Sequence, residues 1–438
     1  MPSTGLIHEL ESSLARLPQG ALLVGFSGGL DSTVLLHLLA SIPSARARGL
    51  RAVHVDHGLQ SNSALWANHC AEFCAGLRIG YVAIAAKVTI TDEGIEAAAR
   101  NARYAGFAAQ VGDAEILTLA HHADDQAETV LLKLLRGAGP EGIAGMSALR
   151  AFAKGLLWRP LLSLPRARLI AYAREKGLRW IEDPSNLDTR LRRNFVRAEI
   201  LPRLRERWPD ATVAIAHSAS WARAAAEFID AQAHSALDRL RGPDPATLVW
   251  RGWLALPDAL RDPVLRLWLR GLELDEPAHF HVAELERQLA GAGESRAPCV
   301  RWPGCELRRF RDLLYAMQPI VPVPAGWSTV WDGAPLQLPA GGSICLRADS
   351  QGAPAPLSLT VHYRSGGEHI KPSGAAHTRE LRLLLQEFGI PPWERDRIPL
   401  VSAGSELIAV GDLVLSSAGR VMCDQLGAEI VWARERET

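Results

Sequence analysis

Two clusters of residues have the types and spacing to do chemistry. The first is Ser27-Gly28-Gly29-Leu30-Asp31-Ser32, set between the apolar run Ala21–Phe26 and the helical pattern beginning Thr33-Val34-Leu35. A glycine turn between strand and helix aims backbone N–H groups and the positive end of a helix dipole at one point, where a phosphate-type anion can sit. Gly28 and Gly29 let the chain approach a phosphate closely, Ser27 and Ser32 add hydroxyl donors, and Asp31 offers a carboxylate for a cation or a cap. No Gly-Lys-Ser/Thr follows, so this is not a Walker A loop. The adjacent glycines also rule out the dinucleotide fingerprint. An ordinary strand-to-helix turn is the alternative. The second cluster is His121-His122-Ala123-Asp124-Asp125-Gln126-Ala127-Glu128-Thr129, at the junction of a strand and a helix. Helical spacing would put His121, Asp124 and Glu128 on one face. Helix capping by Asp124 and Asp125 explains neither the two histidines nor Glu128, and paired histidines as metal ligands are another reading. Acidic and imidazole groups beside a phosphate loop suit Mg²⁺ and acid–base work.

The elements that must position these residues alternate. Strand Ala21–Phe26 precedes a helix from Ser32, then come strand Leu50–Asp56, a helix near Ser63–Leu77 and strand Tyr81–Ala86. A helix from Gly94 to Val111, strand Glu115–Ala120 and a helix from Ala123 to Arg136 follow. This order predicts an α/β fold with a parallel sheet covered on both faces. Ligands bind such sheets beyond the C-terminal strand ends. The glycine loop, Val55-Asp56-His57-Gly58 and His121-His122 all fall at that edge.

After Trp208-Pro209 the texture changes to alanine- and arginine-rich helices over 210–292, then short strands near Cys299–Arg311. A Pro/Gly-rich stretch from Pro319 to Gly342 reads as a linker with one or two strands. A small mixed unit follows, with strand Leu357–Tyr363, a helix from His377 to Phe388, and strands near Leu407–Val414 and Glu429–Trp432. The expected division is a catalytic part over 1–209, a mainly helical middle over 210–330 and a small α+β part over 331–438.

Composition narrows the class. Hydrophobic content of 48% with 22% charge is that of a globular protein. No run of about 18 apolar residues predicts a membrane span, and residues 1–19 read as an amphipathic helix rather than a secretory signal. Six cysteines without a Cys-x-x-Cys pair argue for a reduced cytoplasm and against structural zinc or an iron–sulfur cluster. Net charge is zero, yet residues 150–209 hold 15 Lys/Arg against 6 Asp/Glu. Nearly all of that excess is arginine, which forks onto phosphate, so a nucleic-acid surface is expected there.

Two further segments join the first two: Glu96-Ala97-Ala98-Ala99-Arg100-Asn101-Ala102-Arg103-Tyr104, and Asp183-Pro184-Ser185-Asn186 followed by Arg192-Arg193-Asn194-Phe195-Val196-Arg197. The glycine loop resembles that of the N-type ATP pyrophosphatases (adenine nucleotide alpha hydrolase-like). With Val55-Asp56-His57-Gly58, the His-His-x-Asp-Asp-Gln-x-Glu-Thr block and the C-terminal Gly366-Gly367-Glu368 and Gly389-Ile390-Pro391-Pro392-Trp393-Glu394-Arg395, the chain resembles the long form of the tRNA(Ile)-lysidine synthetase family. The resemblance implies that ATP adenylates the wobble cytidine of the CAU anticodon of tRNA(Ile). Free L-lysine then displaces AMP to give lysidine, changing the codon read from AUG to AUA.

Carried onto this sequence, the resemblance gives catalytic roles to Asp31, His121, Asp124, Asp125 and Glu128. ATP would be held by Ser27, Gly28, Gly29, Leu30, Asp31, Ser32, Asp56, His57, Arg100 and Arg103, with Mg²⁺ on Asp31 and Asp124. The tRNA backbone would meet Arg190, Arg192, Arg193, Asn194 and Arg197. Which carboxylate meets lysine stays open, as does oligomeric state, with a homodimer one option. The nearest alternative is a tRNA thiolase of the same superfamily, for which paired cysteines near the loop are missing.

Overall fold

The computed structural model describes residues 2–56, 63–86, 95–291, 298–348 and 358–434. The chain divides into two compact units, Met1–Phe228 and Ile229–Thr438, the division falling within the long helix Ala211–Leu240.

The first unit is built on β1 (Leu22–Gly25), β2 (Leu50–Asp56), β3 (Gly80–Ala85), β4 (Ile116–Thr118), β5 (Leu149–Phe152) and β6 (Gly155–Trp158), in the order β3-β2-β1-β4-β6-β5. The first five in that order pair in parallel. The expected strands pair with Leu22 opposite both Leu50 and Ile116. The hairpin of β5 and β6 is not foreseen by the sequence pattern; β5 closes the edge antiparallel. Side chains alternate between two cores because successive strand residues face opposite sides. Leu22, Val24 and Ile116 join Val34, Leu35, Leu38 and Leu39 on one face, whereas Leu23 and Leu117 join Val53, Phe107 and Leu157 on the other. The first helix is Pro2–Ala15, and its Leu6, Leu10 and Leu14 seal the first of these cores.

Chain order around β1 creates the site. The chain runs outward through β2 and β3, then returns to place β4 on the other side of β1. Loops leaving the C-terminal ends of β1 and β4 therefore diverge at a topological switch point, where open α/β sheets bind ligands.

In the second unit, helices Trp250–Leu254, Asp258–Gly271 and His279–Gly291 accompany a four-stranded antiparallel sheet around a core containing Trp250, Trp253, Trp268 and Trp302. Residues 319–342, read as a linker, contribute strands Ser328–Trp331 and Leu336–Gln337. The helix expected over 377–388 is shorter, Leu381–Glu387, because Arg379 and Glu380 pair as a strand with His369 and Ile370. Antiparallel sheets of five and three strands complete this region. No helix among the described residues is long and apolar enough to cross a membrane.

Candidate active site

The Ser27–Ser32 turn leaves β1 and enters the helix Leu30–Ser41. Gly28 takes φ +78°, a left-handed conformation that disfavours any side chain. A Cβ there would also lie 2.9 Å from Cys70 Sγ. Gly29 differs. Its φ of −75° is ordinary, and nothing stands closer than 3.5 Å to an added Cβ. Gly29 is the N-cap, and no side chain caps the helix start, so the first-turn amides are left for a ligand. The Ser27 and Ser32 hydroxyls lie 3.0 Å apart, and Ser32 Oγ donates to the Gly29 carbonyl. Ile181 N anchors the turn by donating to the Gly28 carbonyl at 2.9 Å.

The loop after β4 carries His121 and His122 into the helix Ala123–Leu134. His122 is the N-cap. Its Nδ1 accepts from Asp125 N at 3.3 Å, while the Asp125 carboxylate accepts from His122 N, a reciprocal capping box. His122 Nε2 stands 3.6 Å from Asp31 Oδ2 and 3.3 Å from Asp125 Oδ2. The glycine turn and the acidic helix start thus converge through Asp31 and His122. Burial alone would lower the His122 imidazole, but hydrogen bonding to Asp31 and the charges of Asp125 and Asp124 raise it. Protonation at Nδ1 would cost the cap bond, so charge and capping compete.

Because His122 is the cap, His121 precedes the helix, and the expected face of His121, Asp124 and Glu128 does not form. The carboxylates divide instead into two groups. Glu128, fully buried, accepts from Arg193 Nε at 2.7 Å and from Arg197 Nε at 2.6 Å, and both arginines also reach Asp125 Oδ1. Burial would raise the Asp125 carboxyl, yet His122, Arg193, His121 and Arg197 pull it down to about 2. Asp124 is held separately: Arg205 donates to Oδ1 and the backbone N–H of Arg166 to Oδ2 at 2.9 Å. The Arg166 side chain reaches Asp31 Oδ1 at 3.3 Å.

These pairings revise the expected arginine surface. Arg190 and Arg192 are exposed, Arg190 resting on Asp188. Arg193 and Arg197 turn inward onto carboxylates rather than outward. Asn194 is buried, its amide donating to the carbonyls of Ser185 and Asp188, where it closes the Asp-Pro-Ser-Asn turn. Arg100 lies 5.5 Å from the Tyr104 ring centroid, and Arg103 has no hydrogen bond or ion pair among the described residues. Burial lowers the Arg103 guanidinium, an unfavourable setting for a lone cation that a nearby anion would relieve. Asp56 ends β2 at the same sheet edge. His57 lies outside the described residues.

Sequence reasoning misses Arg159, Arg166 and Arg205, which touch His121, Asp31 and Asp124 respectively. All three belong to the basic stretch 150–209, where nothing in the residue pattern separates them from exposed neighbours. Cys70, beneath Gly28, and Cys74 are buried thiols pushed up to about 12 by desolvation, hence poor nucleophiles.

Comparison with known proteins agrees with this geometry. Residues 2–204 match a PP-loop domain model, 249–315 a TilS substrate binding domain and 359–432 a TilS substrate C-terminal domain. The tRNA(Ile)-lysidine synthase of Xanthomonas axonopodis pv. citri is 42% identical, covering 96% of this chain and 95% of its own. That of Xylella fastidiosa (strain Temecula1) is 43% identical over 93% and 94%, and that of Alkalilimnicola ehrlichii 41% over 94% and 95%. Among solved structures, the U34-tRNA thiolase NcsA from Methanococcus maripaludis is 20% identical, covers 49% of this chain and 77% of its own, and has a TM-score of 0.40.

Proposed function

Because the chain belongs to the tRNA(Ile)-lysidine synthase family, we propose that it ligates free lysine to the wobble cytidine of a CAU-anticodon tRNA(Ile) in the cytoplasm. ATP is split to AMP and pyrophosphate through an adenylated cytidine. The observation that carries this reading is the approach of Asp31 Oδ2 to His122 Nε2 at 3.6 Å, which sets the phosphate-type turn beside the acidic helix start. The uncapped amides of the helix Leu30–Ser41 would hold the leaving pyrophosphate. Arg103, and Arg100 beside it, would face phosphate oxygens.

Mg²⁺ suits this donor set, since it uses one or two carboxylates and completes its shell with phosphate oxygens. Asp31 would hold it, for its oxygens make only longer contacts of 3.3 and 3.6 Å. Asp124 would join only by leaving Arg205. Bound there, the ion would neutralise charge on the phosphates.

Lysine must attack as a neutral amine, and deprotonation from a pKa near 10.4 at pH 7 costs about 4.6 kcal/mol. Asp125 and Glu128 are the carboxylates we assign to its ammonium. They are shared with Arg193 and Arg197, which offset the rise in amine pKa that bare carboxylates would cause. The exposed arginines, among them Arg190, Arg192, Arg203 and Arg207, would position the tRNA backbone. The catalytic, middle and C-terminal parts would span 1–209, 210–330 and 331–438, and one of the three family-model matches falls within each.

The test is incorporation of labelled lysine into CAU-anticodon tRNA(Ile), dependent on ATP and Mg²⁺. AMP release with another acceptor and no lysine transfer would overturn the assignment.

A further inference from the structure

Arg159, immediately after β6, is a buried guanidinium, and among the described residues no carboxylate pairs with it. Each of its three nitrogens instead donates to a neutral acceptor: Nη1 to the Ser147 carbonyl at 2.7 Å, Nη2 to Tyr104 Oη at 3.3 Å, and Nε to His121 Nδ1 at 3.2 Å. A guanidinium can only donate, so His121 Nδ1 must accept. An imidazole accepting at Nδ1 carries its hydrogen at Nε2. That Nε2–H has no protein partner among the described residues.

We propose that Arg159 is a positioning residue for the ligation reaction: by donating to Nδ1 it holds His121 as a neutral Nε2–H donor for an anionic oxygen of the reacting nucleotide. The inference rests on the proposed function only for the identity of that oxygen, on the α-phosphate or the cytidine O2. His121 is then not the general base, because Nε2 already carries a hydrogen and Nδ1 faces a cation. A fixed donor aimed at developing charge is worth most where no reorganisation is needed.

The surroundings agree. Burial, together with the charges of Arg159, Arg193 and Arg103, pushes His121 down to about 3 against the opposing carboxylate of Asp125. Its neighbour His122 is raised. Two adjacent imidazoles are thus driven apart, a pattern that separates a neutral hydrogen-bond donor from a group able to carry charge.

The full chain labelled with ¹⁵N-histidine provides the primary test, because it needs neither substrate nor variant. His121 is expected to stay neutral with Nδ1 as acceptor from pH 8 to pH 5; a His121 titration within that range overturns the proposal. Arg159→Met should bring the His121 titration into that range and give ATP–pyrophosphate exchange an acid limb there. Its kcat should fall about tenfold with KM for ATP unchanged. Arg159→Lys, which keeps a cationic donor, should restore the flat profile. If Arg159→Met fails to fold, His121→Gln against His121→Ala decides: an amide can donate but not titrate, so Gln should retain at least tenfold more exchange. Equal loss in the two overturns the donor role. Exchange without lysine transfer in the wild type would sink the proposed ligation while leaving the state of His121 to be read independently.

Discussion

The two glycines of the turn allow one substitution to be read in opposite ways. At Gly28, alanine must adopt φ +78°, costing about 1–2 kcal/mol for a left-handed L-residue. Its methyl must also sit 2.9 Å from Cys70 Sγ and 3.2 Å from Ile181 Cδ1. Cys70 is fully buried and cannot retreat without overpacking, worth about another 1 kcal/mol. The sum of roughly 2–3 kcal/mol lowers the melting temperature of a unit this size by about 5–10 °C. At Gly29 the backbone is already in the region alanine prefers, and the nearest atoms are 3.5 and 3.9 Å away. Loss of the glycine N-cap costs roughly 0.5–1 kcal/mol. The stiffer unfolded chain returns about 0.4–1 kcal/mol. Gly29→Ala should therefore leave stability almost unchanged. Its methyl would lie beside Ser27 Oγ in the turn proposed to hold the phosphate, and losing one charge-assisted hydrogen bond of at least about 1.5 kcal/mol would weaken ATP binding tenfold or more. Calorimetric melting and isothermal titration with ATP read the two effects separately. Gly29→Ala binding ATP within twofold of wild type would refute the reasoning, as would Gly28→Ala melting at or above the wild-type temperature.

Other expectations concern charge. Asp31→Ala and Asp124→Ala should each lower lysine incorporation at least a hundredfold while filter binding gives tRNA affinity within threefold; loss of tRNA binding in both would show their roles misassigned. Arg192→Ala and Arg207→Ala should each reduce the salt slope of tRNA binding by about one. Arg193→Ala and Arg197→Ala should reduce it less, because both guanidiniums already meet Asp125 and Glu128; equal reductions would mean that tRNA draws these arginines outward. For pH, the unfolded chain protonates His121 below about 6.5, whereas the folded chain does so only near 3, so this group removes stability as pH falls between those values. Asp125, depressed to about 2 from 3.8, adds stability above about pH 4 that disappears on acidifying toward 2. His122, being raised, acts oppositely to His121, and its contribution is complete below about 6.5 and lost as pH rises through its folded value. Calorimetry of His121→Gln should show a flatter dependence between pH 6.5 and 4, and an unchanged profile would contradict the burial of a neutral imidazole.

What was legible in the sequence was local. The glycine turn, the strand before it and the helix after it are specified within about 20 residues, because apolar period and turn chemistry act at short range. The same holds for His121-His122 and the start of the following helix. Edges were harder. The β5–β6 hairpin consists of two four-residue strands inside a basic stretch, too short for a period to declare itself. At 379–380 a two-residue strand overrides a good helical pattern because it gains a partner in His369 and Ile370.

The sequence shows the basic stretch as a concentration of arginine but not which of those arginines form a surface. A charge count does not tell which guanidiniums face water, and here the acidic cluster decides. Glu128 has no exposed surface and Asp125 little. A buried carboxylate left unpaired would take up a proton rather than stay charged, and removing one partner of such a pair costs about 3–5 kcal/mol. Arg193 and Arg197 are therefore spent on Asp125 and Glu128, Arg205 on Asp124, and Arg166 on Asp31. The four carboxylates and these arginines form one nearly neutral network before any ligand arrives. A phosphate entering it competes with carboxylates for arginine, and an ammonium competes with arginine for carboxylates. Binding at such a site exchanges partners instead of meeting bare ions, so the affinity of each charged ligand depends on which others are already bound.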